Sequence, residues 1–155
     1  MYYLMVIGLM VVAPLVSIGI ELAVSGPANV LEVVGKWFLF WGVGVRLLIA
    51  GISQSIRPEF TAQNILGEKS SSANQIVREL GFANIGFGVV GLVAPWVAGW
   101  AVPGAIAPAI FLGVAGILHI IKRGKNSKEW VATTTDLLVA VVLAVFVIGS
   151  LLTLN

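Results

Sequence analysis

At 155 residues, 59% hydrophobic and only 10% charged, with a mean hydropathy of +1.04, the chain carries more apolar surface than one soluble core of its size can bury, so a bilayer must be its solvent. The absence of cysteine excludes disulfides, thiolate metal sites, iron–sulfur clusters and dithiol redox relays. The net charge of +2 is spread thinly along the borders of apolar stretches, a pattern that fits orientation in a membrane and not a nucleic-acid partner.

A hydrocarbon core about 30 Å thick needs about 20 helical residues. Five stretches qualify, which predicts an all-α, polytopic transmembrane helical bundle forming a single domain, with spans at about 3–24, 37–56, 74–97, 103–121 and 130–154. The first lacks a basic leader and its apolar run is longer than that of a signal peptide, so it reads as a retained helix. Ser25-Gly26-Pro27 stops it. Residues 27–36 read as a short amphipathic surface segment, either lying in the interface or continuing into the second span, with Gly35 as the expected break. Arg57-Pro58 closes the second span, because the residue before a proline is pushed out of the helical region.

A second surface segment, 58–72, carries helical or irregular structure as far as Gly67 and then a serine loop. Ser72 with Gln75 three residues on fits a capping box that opens the third span, which Pro95 disturbs at its far end. Val102-Pro103-Gly104 reads as a tight turn into the fourth span, which carries Pro108 and ends at Ile121. The hydrophilic loop from Lys122 to Glu129 precedes the fifth span.

Arg57, Lys69, Arg78, Lys122, Arg123, Lys125 and Lys128 share the face of the amino terminus, against Lys36 alone on the other. The positive-inside rule therefore predicts a cytoplasmic amino terminus and an external carboxyl terminus. Trp37, Trp41, Trp96 and Trp100 fall near the outer interface and Trp130 near the inner one, as an aromatic belt does.

Few polar groups fall inside the spans. Arg46 sits in the middle of the second, where an unpaired charge costs roughly 2.5 to 3.5 kcal/mol. Arg46, Ala50, Ser53 or Gln54, and Arg57 recur at three- and four-residue spacing, a polar stripe that should face protein. Arg46 lies roughly 15 Å from the inner interface and Asp136 roughly 9 Å, a difference that a long arginine side chain spans. Arg46, Asp136, Asn84 and Gln54 are thus the expected buried polar cluster, with an Arg46–Asp136 ion pair serving either helix register or a ligand pathway. His119 and Glu79, near the inner ends of the fourth and third spans, are the candidates for a proton relay or for a plain interfacial hydrogen bond, and His119 alone for a lone axial ligand. Glu21 is expected to reach outer-face water.

Gly81, Gly86, Gly88 and Gly91 in the third span, with Gly113 and Gly116 in the fourth, mark close helix packing, because small residues let backbones approach. Gly86-Phe87-Gly88 lies inside an apolar span with no strand before it and is no phosphate loop. A single histidine excludes paired axial haem ligands and a multi-histidine metal centre within one chain, and no serine has a histidine–carboxylate pair at a recognisable spacing. No catalytic residue and no metal site are predicted.

The run from Gly35 to Arg46 (GKWFLFWGVGVR), continuing to Phe60-Thr61-Ala62, and the run from Val77 to Asn84 (VRELGFAN), together with the His119 region, resemble a family of small bacterial membrane proteins of unknown function. More distantly, the helix count and glycine-rich middle spans look like the DoxX-like group, some of whose members are linked to quinone-dependent sulfur oxidation. The first resemblance implies a bacterial inner-membrane location and no known activity, and neither supplies catalytic residues.

Three functions follow as expectations. The leading one is a non-enzymatic accessory or structural subunit of a larger membrane assembly, or a homo-oligomer, among membrane lipids. The second is a small-molecule transporter or a binder of a hydrophobic ligand, using Arg46, Asp136, Asn84 and His119. The third is a partner of a quinone-linked oxidoreductase. No cofactor is predicted outright; a quinone, lipid or pigment fits the second and third.

Overall fold

A computed structural model describes residues 2–26 and 29–153. Helix accounts for nearly all of these residues, and no strand occurs among them. Five helices are long and apolar enough to cross a membrane: Tyr3–Ser25, Val30–Ile56, Ser71–Trp96, Ala101–Ile121 and Ser127–Leu152. The shortest, at 21 residues, is about 32 Å long at the usual rise, enough for the hydrocarbon core. Ile20, Val24, Ile76, Phe82, Ile110, Leu118, Val141 and Ile148 remain exposed along the outside, whereas Val6, Met10, Leu39, Val43, Leu112, Val139 and Leu143 fill the interior. An apolar exterior around satisfied helical backbones is the form that lipid demands.

The local signals account for most helix ends. Gly26, at φ +71°, terminates the first span, and Asn29 opens the second by accepting a hydrogen bond from the Leu31 amide at 3.1 Å. Pro27 of the expected stop lies outside the described residues. Arg57, forced off helical geometry (φ −133°, ψ 63°) by Pro58, ends the second span. A short helix, Pro58–Thr61, then runs into a wide turn, Ala62–Leu66, that Gly67 closes in the left-handed region at φ +78°. The first span also holds a wide turn, Gly8–Val12, just ahead of Pro14, where the missing N–H and the ring would otherwise disrupt the ladder.

Four expectations need correction. Residues 30–36 form no separate surface segment: the second helix runs through Gly35, because that glycine is a contact point and not a break. A Cβ there would lie 2.2 Å from the Phe146 ring. The third helix is capped by Ser70, whose hydroxyl accepts from the Ala73 amide at 3.1 Å, and not by Ser72, which lies inside the first turn. The chain reverses before the fourth helix at Gly99 (φ +78°), and Pro103 sits in the first helical turn, where its missing N–H has no partner to lose. The fifth helix starts at Ser127 rather than at Trp130, capped by Asn126, which accepts from the Glu129 amide at 2.9 Å.

The second span is central. It packs along the third in an antiparallel seam that pairs Gly44 with Gly91, Leu48 with Gly88, and Gly51 with Gly81. It also packs on the first span and the fifth, with Gly42 on Val139 and Gly35 on Phe146, and touches the fourth through Leu39 near Gly104. The fourth span packs mainly on the fifth, with Gly116 against Leu137 and Gly113 against Ala140. Gly81, Gly88, Gly91, Gly113 and Gly116 thus lie at helix contacts, but Gly86, expected to pack with them, faces open space.

Candidate functional site

The seven-residue wide turn Leu39–Val45 ends at Arg46 and resets the helical phase there, so the stripe that follows points to one side. On that side the second span, the Pro58–Leu66 segment and the start of the first span enclose a cleft of about 450 Å³. Its polar lining is Arg46, Ser53, Gln54, Arg57 and Thr61, and its apolar walls are Met5, Ile49, Ala50, Phe60 and Ile65. The Arg46 Nε is buried and has no hydrogen-bond partner. Neither arginine forms an ion pair among the described residues.

Asp136 does not close on Arg46 as a salt bridge. The pairings Val139–Gly42 and Phe146–Gly35 set an antiparallel register that places Asp136 level with Val45 and Arg46. The Asp136 carboxylate lies within electrostatic reach of both Arg46 and His119, but the Arg46 side chain lines the cleft instead of pairing directly. Asn84 does join the cluster: its Nδ2 donates to Gln54 Oε1 at 2.7 Å, bridging the third and second spans beside the cleft, while its own Oδ1 is buried without a partner.

His119 and Glu79 are not brought together. Glu79 is exposed and accepts from Gln75 at 3.2 Å on its own helix, one turn along. His119 instead has Glu129 as its partner, Nδ1 to Oε1 at 3.4 Å, and Lys122 Nζ approaches the same oxygen at 2.9 Å. Glu129 is 1% exposed and lies in the first turn of the fifth span. From the same loop, Lys122 Nζ donates to the Leu66 carbonyl at 3.1 Å and Asn126 Nδ2 to the Asn64 and Ile65 carbonyls at 3.4 and 3.3 Å. These bonds hold the Ala62–Leu66 turn, and with it the Ile65 wall of the cleft, against the start of the fifth span.

Sequence reasoning placed Glu129 in a solvated loop. The signal that identifies it is Asn126 three residues ahead, the spacing of a helix cap followed by an acidic first turn. Glu21 likewise does not simply face water. Its carboxylate accepts from Lys36 Nζ and from Trp37 Nε1, both at 2.6 Å, and Ser17 accepts from Trp41 Nε1 at 3.0 Å. Lys36 also lies over the Trp37 and Trp96 rings at 5.1 and 5.3 Å, so the aromatic belt doubles as a clasp joining three spans.

Among the described residues no group of three histidine or carboxylate side chains is placed to hold a metal ion. The arrangement can take hold of a molecule with polar and apolar parts: two guanidinium groups, hydroxyls and an amide on one side of the cleft, hydrocarbon on the other. No curated protein and no solved structure matches the chain. A family match extends over its whole length and fits the expectation of a family of unknown function: the chain belongs to the family of unknown function DUF6790, matched over residues 1–155.

Proposed function

We propose that the protein is a membrane-embedded binding protein for a small amphipathic molecule of the lipid or quinone kind, seated in the cleft beside Arg46. The observation that carries this reading is the cleft itself, about 450 Å³ with a buried, unpartnered Arg46 Nε at its wall. That volume falls in the range of sites for small ligands, and mostly apolar walls with a few convergent polar groups are what such sites have. The seven-to-one excess of lysine and arginine at the end where the cleft's Arg57 lies supports an orientation with that end in the cytoplasm of a bacterial cell. Solvent extraction and mass spectrometry of protein purified in a neutral detergent test the reading. The wild type should release a bound amphiphile, and Ala50→Trp, whose indole fills the cleft, should release little. Equal release from both, or none from the wild type, refutes it.

A second reading, an accessory subunit of a larger membrane assembly, is favoured by a separate feature. The third and fourth spans touch little, and between them lies an apolar groove of about 510 Å³ floored by Phe87, Phe111, Ala107 and Ala115. Small and aromatic residues along such a groove suit a further apolar helix. Purification in mild detergent decides: a stoichiometric membrane partner supports this reading, and recovery only as a lone monomer or homodimer counts against it.

A further inference from the structure

Resting on the reading of the cleft as a binding site, we infer that its ligand is a single-chain amphiphile with a monoanionic head, the chemistry of a long-chain carboxylate. Both charged residues of the lining, Arg46 and Arg57, are cationic, and no aspartate or glutamate lines the cleft. The carboxylate felt by Arg46 is Asp136, which interacts with it at a distance and is shared with His119. One nearby carboxylate against two guanidinium groups leaves one positive charge in excess. The Arg46 Nε is buried with no hydrogen-bond partner, and an arginine with no carboxylate beside it is costly at membrane depth, so a singly negative ligand completes the site.

The donors suit such a head. A guanidinium presents a planar fork that matches a carboxylate with two parallel N–H bonds, and the Ser53 hydroxyl and Gln54 amide lie beside it in the same lining. The rest of the cleft suits a tail. Met5, Ile49, Phe60 and Ile65 offer hydrocarbon, and Ile49 and Phe60 remain 39% and 42% exposed, so the cleft is continuous with the lipid-facing surface and can be entered sideways from the bilayer. A cavity of about 450 Å³ sits toward the lower end of the range for small-molecule sites, which favours one acyl chain over the two of a phospholipid. The Ile65 wall is pinned by the Lys122 and Asn126 bonds to the Asn64–Leu66 carbonyls, so the tail contacts are preorganised.

The test is displacement of the fluorescent polyene carboxylate cis-parinarate from full-length protein in a neutral detergent, with hexadecanoate, hexadecan-1-ol and phosphatidylglycerol as competitors. Hexadecanoate should displace it at least tenfold more tightly than the alcohol. Arg57→Gln and Arg46→Gln, each in protein that melts as the wild type does, should weaken hexadecanoate at least tenfold while leaving the alcohol unchanged. Equal displacement by acid and alcohol overturns the anionic head while leaving the cleft as a binding site. Tighter displacement by phosphatidylglycerol than by hexadecanoate overturns the single chain. Failure of the probe and of every competitor to bind overturns this inference and the proposed function together.

Discussion

Gly91→Ala and Gly86→Ala, five residues apart on the third span, should shift stability in opposite directions. A Cβ on Gly91 would lie 2.5 Å from the Gly44 nitrogen, 2.8 Å from its Cα and 2.9 Å from the Leu39 carbonyl oxygen. Carbon contacts are favourable near 3.5–4.0 Å, and the atoms met here are backbone, which cannot swing away as a side chain would. The second and third helices would have to part by about 1 Å, loosening the neighbouring Gly88–Leu48 and Gly81–Gly51 contacts as well. Overpacking of this kind costs about 1–3 kcal/mol, against a gain of about 0.5–1 kcal/mol when alanine replaces glycine inside a helix. The net loss therefore lies between about 0 and 2.5 kcal/mol, centred near 1 kcal/mol. A Cβ on Gly86 meets nothing within 4 Å, so there the helical gain stands alone and the variant should be slightly more stable than the wild type. Thermal unfolding in detergent, followed by circular dichroism, reads both. If the two variants shift the melting temperature in the same direction, the backbone seam between the second and third spans is not as described.

Three further perturbations bear on the polar contacts. Because Glu129 is 1% exposed and Lys122 is 41% exposed, Lys122→Ala, which leaves a buried carboxylate with His119 alone, should cost about 3 kcal/mol, whereas Glu129→Gln frees an ammonium to turn into water and should cost about 1 kcal/mol; chemical denaturation showing the reverse order would refute the assignment of Glu129 as the buried hub. A double-mutant cycle of Glu21→Gln with Lys36→Met should give a coupling of about 1 kcal/mol, and the single Glu21→Gln change should shift tryptophan emission, since Trp37 Nε1 loses a charged acceptor; additive effects would mean that the clasp is not formed. Asn84→Leu should cost about 0.6 to 1.7 kcal/mol by removing the donor to Gln54, and a stability equal to the wild type's would show that the two amides do not meet.

The sequence revealed spans and faces better than partners, for a physical reason. Span length and hydropathy are set by bilayer thickness, which is the same for every helix, so five helices and the ends at Gly26, Arg57 and Ile121 could be read directly. Pairing depends on register between helices, which a residue or two of error in a helix start displaces. Asp136 lies level with Arg46, yet the long Arg46 side chain turns into the cleft instead, and without the Asn126 cap Glu129 reads as loop and His119 as a match for Glu79. Gly35 was read as a break because glycine usually weakens a helix, yet in a membrane bundle the same residue more often marks a contact, as its closeness to Phe146 shows.

The cleft can be traced to one arithmetic feature of the second span. Gly44, Leu48, Gly51 and Ser55 follow one another at intervals of four, three and four residues and make the seam with the third span. Arg46, Ala50, Ser53 and Arg57 repeat the same intervals two residues later, and all four line the cleft. Two residues are roughly 200° at 3.6 residues per turn, so the two rows lie on nearly opposite sides of a single helix. A helix tightly sealed on its glycine side therefore presents its polar row to the far side, where no other full span covers it. The Pro58–Leu66 segment folds back over part of that row, because Arg57 and Pro58 break the helix immediately after its last member, and leaves the rest open. Packing on one face thus dictates an uncovered polar row on the other, and that geometry follows from spacing in the chain before any ligand is considered.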